Sequence, residues 1–228
     1  MVSAQLAGGL GNQLFQIATA YALATDNNDY AAFEFSKHYS LGQGQSPYCY
    51  KSSIFSNIVD LKRTKKDYTF YEGKVEELFY VPNIHLVGFF HDKNYFARHT
   101  HKLLNLLKIK PITNVNTCSV HVRRGDHKPY LGLSYYKQAM ALFKNSNFLI
   151  FTDDLLWCKE NFVGNNIYVI KNGSADQDML LMSQCQNNII SNSTYSWWAS
   201  WLNTAADKAI IAPGILSPKL HLKEMIII

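Results

Sequence analysis

From residue 118 onward, short apolar or β-branched runs alternate with helix-like patterns, and that alternation restricts the fold more than any other feature of the chain. Extended runs cover 118–122, 148–151, 167–170, 188–191 and 209–212. Between the first two, Ser134 precedes Tyr136, Ala139, Met140 and Phe143 at three- and four-residue spacing. Asp153 or Asp154 opens a second helical segment through Leu156 and Trp157, and further helical patterns span 175–186 and 195–205. Parallel neighbours require crossover connections, so this order predicts a parallel sheet with helices on both faces, a Rossmann-like domain.

The first half begins in the same way. An extended run at 2–6 meets a glycine-rich turn and then a helical pattern over 13–24 with Leu14, Ile17, Ala18 and Tyr21 on one face. Residues 36–83 read as loop-rich, punctuated by Gly42, Gly44 and Pro47, with 62–66 a solvated basic segment. A strand at 85–90 and an amphipathic helix at 95–107 follow, the latter with Phe96, Leu103, Leu106 and Leu107 inward. The linker expected at 108–116 divides the chain into domains 1–110 and 111–228.

Composition narrows the partners. A hydrophobic content of 47% and an aromatic content of 14% supply a packed core. The net charge of +5 is spread without a basic run, which suits a small anionic substrate at least as well as nucleic acid. Cys49, Cys118, Cys158 and Cys185 are too far apart for a C-x-x-C pair, so reduced thiols and no structural metal are expected. No apolar run approaches the roughly 20 residues of a membrane span, and the N-terminus has no basic-then-apolar leader, which predicts a cytoplasmic chain.

Ligands of open parallel sheets bind beyond the carboxyl ends of the strands, and three strand ends carry unusual chemistry. His121, Val122, Arg123, Arg124, Gly125 and Asp126 stand at the first. The chain's arginines are Arg63, Arg98, Arg123 and Arg124, so an adjacent pair here stands out. It reads either as a bidentate phosphate grip or as an inter-strand salt bridge with Asp126. Asp153 and Asp154 follow the second strand, as helix-opening carboxylates or as acceptors for a guanine edge. Ser193 and Thr194 open a helix whose free N–H groups attract anions; the alternative is simple capping. In the first half, Gly8, Gly9, Gly11, Asn12 and Gln13 form a turn that lets backbone approach a ligand, without the third glycine of a dinucleotide fingerprint or the Gly-Lys-Ser/Thr of a P-loop. Trp197, Trp198 and Trp201 have the spacing of core residues rather than of a sugar platform.

Taken together, the segments 8–16 (GGLGNQLFQ), 88–91 (GFFH) with Tyr95-Phe96, 121–126 (HVRRGD), Tyr135-Tyr136, 151–154 (FTDD) with Trp157-Cys158, and 189–198 (IISNSTYSWW) resemble the α-1,2-fucosyltransferases of glycosyltransferase family 11. The resemblance implies a GT-B-like α/β fold of two facing Rossmann-type domains, the N-terminal one on the acceptor side and the C-terminal one binding the donor. It implies an inverting enzyme that takes GDP-fucose as donor and a galactose-containing glycan as acceptor, with no cofactor and no divalent metal. By the same analogy Arg123 grips the diphosphate while His121 and Arg124 shape its loop. Asp154 or Asp153 meets guanine, Ser193 and Thr194 hold phosphate oxygens, and Asn12 reaches the donor from the first domain. Asp126, His127 and His91 are candidates for a general base, Asp126 ahead of the others. The chain departs from the family's pattern in carrying His127 where tyrosine is common, and in its shorter length. Rival readings are a fucosyltransferase acting on a protein hydroxyl or on N-acetylglucosamine, a transferase with a metal on Asp153 and Asp154, and an idle nucleotide-sugar-binding module.

Overall fold

The computed structural model describes every residue except 37–43, 75–76, 113, 126–127 and 172, together with the backbone but not the side chain of Asn114. The chain divides into two compact units, Met1–Ile109 and Lys110–Ile228.

The N-terminal unit contains β1 (Val2–Ala4), α1 (Leu10–Asp26), β2 (Tyr68–Tyr71), β3 (Ile84–Val87) and α2 (Thr100–Leu106). Its three strands form a parallel sheet in the order β1-β3-β2, with Ser3 opposite His85 and Tyr71 opposite Val87. Helix α1 starts at Leu10, three residues before the sequence pattern suggests, because Gly9 serves as its N-cap in extended backbone. Nearly every side of it is enclosed, including the polar Gln13, Gln16 and Thr19. Strand β2 corrects the loop expected over 36–83, and a 3-10 turn at Pro47–Tyr50 adds further order there. The expected helix at 95–107 is broken into 3-10 turns at Lys93–Tyr95 and Ala97–His99 followed by α2, with Phe96, Leu103 and Leu107 inward. Strand β3 stops at Val87, earlier than the expected 90. A Cβ on Gly88 would lie 2.4 Å from Glu72 Cβ, and Phe90 takes a left-handed φ of 55°.

The C-terminal unit alternates β4 (Asn114–Val122), α3 (Leu133–Ala141), β5 (Asn147–Thr152), α4 (Leu155–Asn161), β6 (Ile167–Val169), α5 (Ala175–Ser183), β7 (Cys185–Ile189), α6 (Thr194–Leu202), β8 (Ile210–Ala212) and β9 (Met225–Ile227). All six strands are parallel, in the order β6-β5-β4-β7-β8-β9. Val120 and Ile150 from the central strands, with Tyr136, Ala139 and Cys158 from the helices, share one buried cluster.

Strand β7 starts with Cys185, Gln186 and Asn187, three residues before the expected 188, and polar residues in a central strand are tolerated only when satisfied. Asn188 Nδ2 donates to Ser119 Oγ and Met182 O, and its Oδ1 accepts from Asn203 Nδ2. Asn187 Oδ1 accepts from Ala209 N–H. On α6, Trp197 and Trp198 are fully buried, and Trp197 Nε1 donates to Leu220 O at 2.7 Å. They are core, as their spacing suggests.

Candidate functional site

Sheet order brings the unusual strand ends together. Strand β4 lies between β5 and β7, and Val122 is paired with Thr152, so the segment after β4 emerges beside the segment after β5. On the other side Val120 pairs with Ile189, which sets the approach to Ser193 next to the same end.

The loop after β4 is shaped by its neighbours. Asp153 accepts from Arg124 N–H at 2.7 Å and from Gly125 N–H at 3.0 Å. The Arg124 guanidinium lies 4.0 Å over the Trp157 ring and 5.1 Å from Tyr130, and its Nε reaches Asp154 Oδ2 at 3.3 Å. Asp154 Oδ1 caps α4 through Trp157 N–H. Both aspartates thus have structural partners, and a guanine edge would compete with Arg124 for Asp154. The salt bridge expected from the sequence as the alternative to phosphate binding involved Asp126, which lies outside the described residues, as does His127. Arg124 pairs with Asp154. Arg123 is half-buried directly after the strand.

His121 is buried, with Nδ1 at 2.8 Å from Ser191 Oγ and its ring 5.2 Å from that of Tyr195. Burial, and then the Arg123 charge, push its pKa down to about 3, so the ring is neutral. Ser191 and His121 tie the strand carrying Arg123 to the turn carrying Ser193. Ser193 Oγ accepts from Tyr195 N–H as N-cap of α6, and Thr194 is the first helical residue. The helix therefore opens toward the β4 end with its positive dipole end.

Two outcomes follow from these contacts. Asp153→Ala removes the acceptor that aligns two consecutive N–H groups and is expected to cost about 1–3 kcal/mol of stability, in line with the loss of a charge-assisted hydrogen bond, measured as a shift of the urea midpoint. For His121 the folded pKa of about 3 lies below the unfolded value near 6.5, so only the unfolded chain takes up a proton in that window. Stability conferred by the neutral ring is complete above about pH 6.5 and is lost as pH falls toward 3. His121→Gln should be less stable at pH 7, yet show a flatter urea midpoint between pH 6.5 and about 4.

In the N-terminal unit, Gly8 has a left-handed φ of 74°, and a Cβ there would stand 2.5 Å from Asn12 Nδ2. A Cβ on Gly44 would collide with Gly8 O at 2.3 Å, so the two backbones meet closely. Gln13 Nε2 donates to Gly8 O and Gln45 O, locking the turn. Open space lies where Gly9 lacks its side chain, while Gly11 is buried in the first turn of α1. Asn12 Oδ1 is 3.1 Å from His91 Nε2. Gln16 Oε1 accepts from Ala7 N–H and its Nε2 donates to Gly88 O. The functions of Gln13 and Gln16 are not evident from sequence spacing, although both lie in the glycine-rich segment. Tyr135, whose hydroxyl donates to Ile190 O at 2.6 Å beside Ser191, is a further supporting residue.

The chain is built of two parallel-sheet α/β units, the second with a polar, arginine-bearing strand end, and comparison with known proteins identifies its family. The glycosyl transferase family 11 model matches residues 1–225. The O-antigen biosynthesis glycosyltransferase WbnK of Escherichia coli is 30% identical over 278 aligned positions, spanning 91% of this chain and 92% of that one. An Escherichia coli α-1,2-colitosyltransferase is 29% identical over 93% of this chain and 91% of its own length. Galactoside α-(1,2)-fucosyltransferase 2 of Hylobates lar is 26% identical, over 95% and 73% respectively. The crystal structure of fucosyltransferase NodZ from Bradyrhizobium superposes with a TM-score of 0.51 at 12% identity, covering 87% of this chain and 91% of that chain, a likeness of fold. The chain belongs to glycosyltransferase family 11. Among the described residues no helix is long and apolar enough to cross a membrane.

Proposed function

We propose that this chain transfers L-fucose from GDP-fucose to the 2-hydroxyl of a galactose in a glycan, with inversion, without a divalent metal, and in the cytoplasm. The observation that carries the reading is the adjacency of the β4 and β7 ends, one bearing Arg123 and the other leading to Ser193, Thr194 and the opening of α6. As the fucosyl–oxygen bond breaks, the sugar becomes oxocarbenium-like and negative charge grows on the β-phosphate. A guanidinium, two hydroxyls and helix N–H groups at fixed positions stabilise that charge where a metal would otherwise act. His121 and Arg124 hold the loop, and Asp153 keeps the Arg124 and Gly125 amides aligned. Asp126 stays in this reading as a general-base candidate by position.

The test is incubation with GDP-fucose and lactose in EDTA, followed by linkage analysis. A fucosyl-α-1,2-galactose product supports the proposal, whereas no transfer, another linkage or a metal requirement contradicts it. The colitosyltransferase relative favours one alternative, a nucleotide-activated colitose as donor. Competition between the two donors distinguishes them.

A further inference from the structure

Two adjacent tyrosines on α3, both within the C-terminal unit, differ in how their hydroxyls are used. The Tyr135 hydroxyl donates to Ile190 O at 2.6 Å and so has a partner. Tyr136 is fully buried, its ring edge-on to Tyr135 at 5.1 Å and to Phe162 at 5.8 Å, in the cluster that includes Val120, Ile150 and Cys158. Its hydroxyl makes no hydrogen bond among the described residues. A buried phenol normally finds a partner, and one left without it costs stability that a phenylalanine of nearly the same shape would not. The surroundings show where this hydroxyl points. Burial pushes its pKa up, while the backbone N–H of Arg123 and the Arg124 charge work against that, so the oxygen faces the segment leaving β4. The next two amides of that segment, those of Arg124 and Gly125, are held by Asp153.

We propose that Tyr136 is a positioning residue for the nucleotide diphosphate, its buried hydroxyl accepting a hydrogen bond from the Arg123 N–H once the nucleotide engages the Arg123 guanidinium. The inference rests on the donor reading above and adds to it a residue that never touches the ligand. In the structure the Arg123 amide faces the phenol oxygen without a hydrogen bond of normal geometry between them. Phosphate oxygens gripped by the guanidinium fix the side chain and, with it, the backbone at the strand end. The amide then closes on the Tyr136 oxygen and sets the direction in which Arg123 leaves the sheet. The hydroxyl therefore lowers the stability of the free chain and raises that of the complex, and binding strengthens by the difference. A phenylalanine would pack equally well and would lack this effect.

The experiment compares full-length wild type with Tyr136→Phe and, as the case of a phenol that already has its partner, Tyr135→Phe. Three readouts are taken: urea midpoints with and without saturating GDP, GDP affinity by calorimetry, and kcat and KM with GDP-fucose and lactose. Without GDP, Tyr136→Phe should have a midpoint equal to or above that of wild type, whereas Tyr135→Phe should fall below it because Ile190 O loses a donor. With GDP the order changes. Tyr136→Phe should bind GDP about tenfold more weakly and gain correspondingly less stability on saturation. Its donor KM should rise about tenfold while lactose KM stays unchanged. A merely structural hydroxyl would do the opposite, lowering the GDP-free midpoint and leaving GDP affinity alone. Wild-type GDP affinity in Tyr136→Phe, or a GDP-free midpoint below that of wild type, overturns the proposal. A wild type that binds no GDP defeats the donor reading itself, and this inference with it, a result read from the unsubstituted protein alone.

Discussion

Arg123→Ala is expected to lower transfer from GDP-fucose by about 100- to 1,000-fold, the usual consequence of deleting a preorganised donor to developing oxyanion charge. The fold should persist, because the loop around Arg123 has supports that do not use its side chain. Asp153 holds the Arg124 and Gly125 amides, and Arg124 packs over Trp157. Arg123→Lys keeps the charge but not the planar fork and should fall between the two, about tenfold below wild type. The same substitution to alanine removes one of the two influences depressing the His121 pKa, so the variant should also lose less stability on mild acidification. Steady-state kinetics with lactose as acceptor, alongside urea denaturation, measure both effects. Unchanged kcat/KM in Arg123→Ala contradicts the donor-site assignment.

The largest effect on stability is expected at Trp197. Its ring is fully buried, lies parallel to Trp201 at 6.3 Å and meets Trp198 edge-on at 5.3 Å, and its Nε1 donates to Leu220 O. Truncation to alanine leaves a cavity the size of an indole and a carbonyl without its donor, at a cost of about 3–5 kcal/mol. Trp197→Phe refills most of the volume and should cost about half of that, the remainder reflecting the lost hydrogen bond. The urea midpoint at constant m-value is the measurement. A change below about 1 kcal/mol in Trp197→Ala would show that the α6 packing described above is wrong.

The C-terminal sheet was readable because its strands are short apolar runs broken by helical periodicity, and parallel pairing leaves few ways to connect them. Its exceptions have physical causes. The start of β7 was missed because Gln186 and Asn187 are polar; the amides of Asn187 and Asn188 are satisfied by Ala209 and Ser119, contacts that no local pattern reveals. Strand β2 is only four residues long and sits in a tyrosine-rich stretch, so its Tyr68 and Phe70 alternation was too brief to separate from loop. Helix α1 exceeded its amphipathic stripe because both its apolar and its amide-bearing faces are enclosed.

At the candidate site, residues of a scarce type next to strand ends were legible, and Arg123, Arg124, Ser193 and Thr194 do stand beyond neighbouring strands. The contacts that hold the glycine-rich turn and the 88–90 segment of the N-terminal unit were not. Gln16 meets Gly88 across 72 residues of sequence and Glu72 meets Phe89 across 17, in each case through backbone atoms that carry no side-chain signature. Asp153 and Asp154 were noticed for guanine recognition, but their visible partners are the loop amides, the start of α4 and Arg124.

The pyrophosphate location is the claim on which the functional account turns, and a crystal structure of the protein with GDP, grown in EDTA, tests it most directly. The account predicts density for the diphosphate within hydrogen-bonding distance of the Arg123 guanidinium and of the hydroxyls and first N–H groups of Ser193 and Thr194. Density for GDP elsewhere, or a nucleotide whose phosphates leave Arg123 untouched, would contradict it.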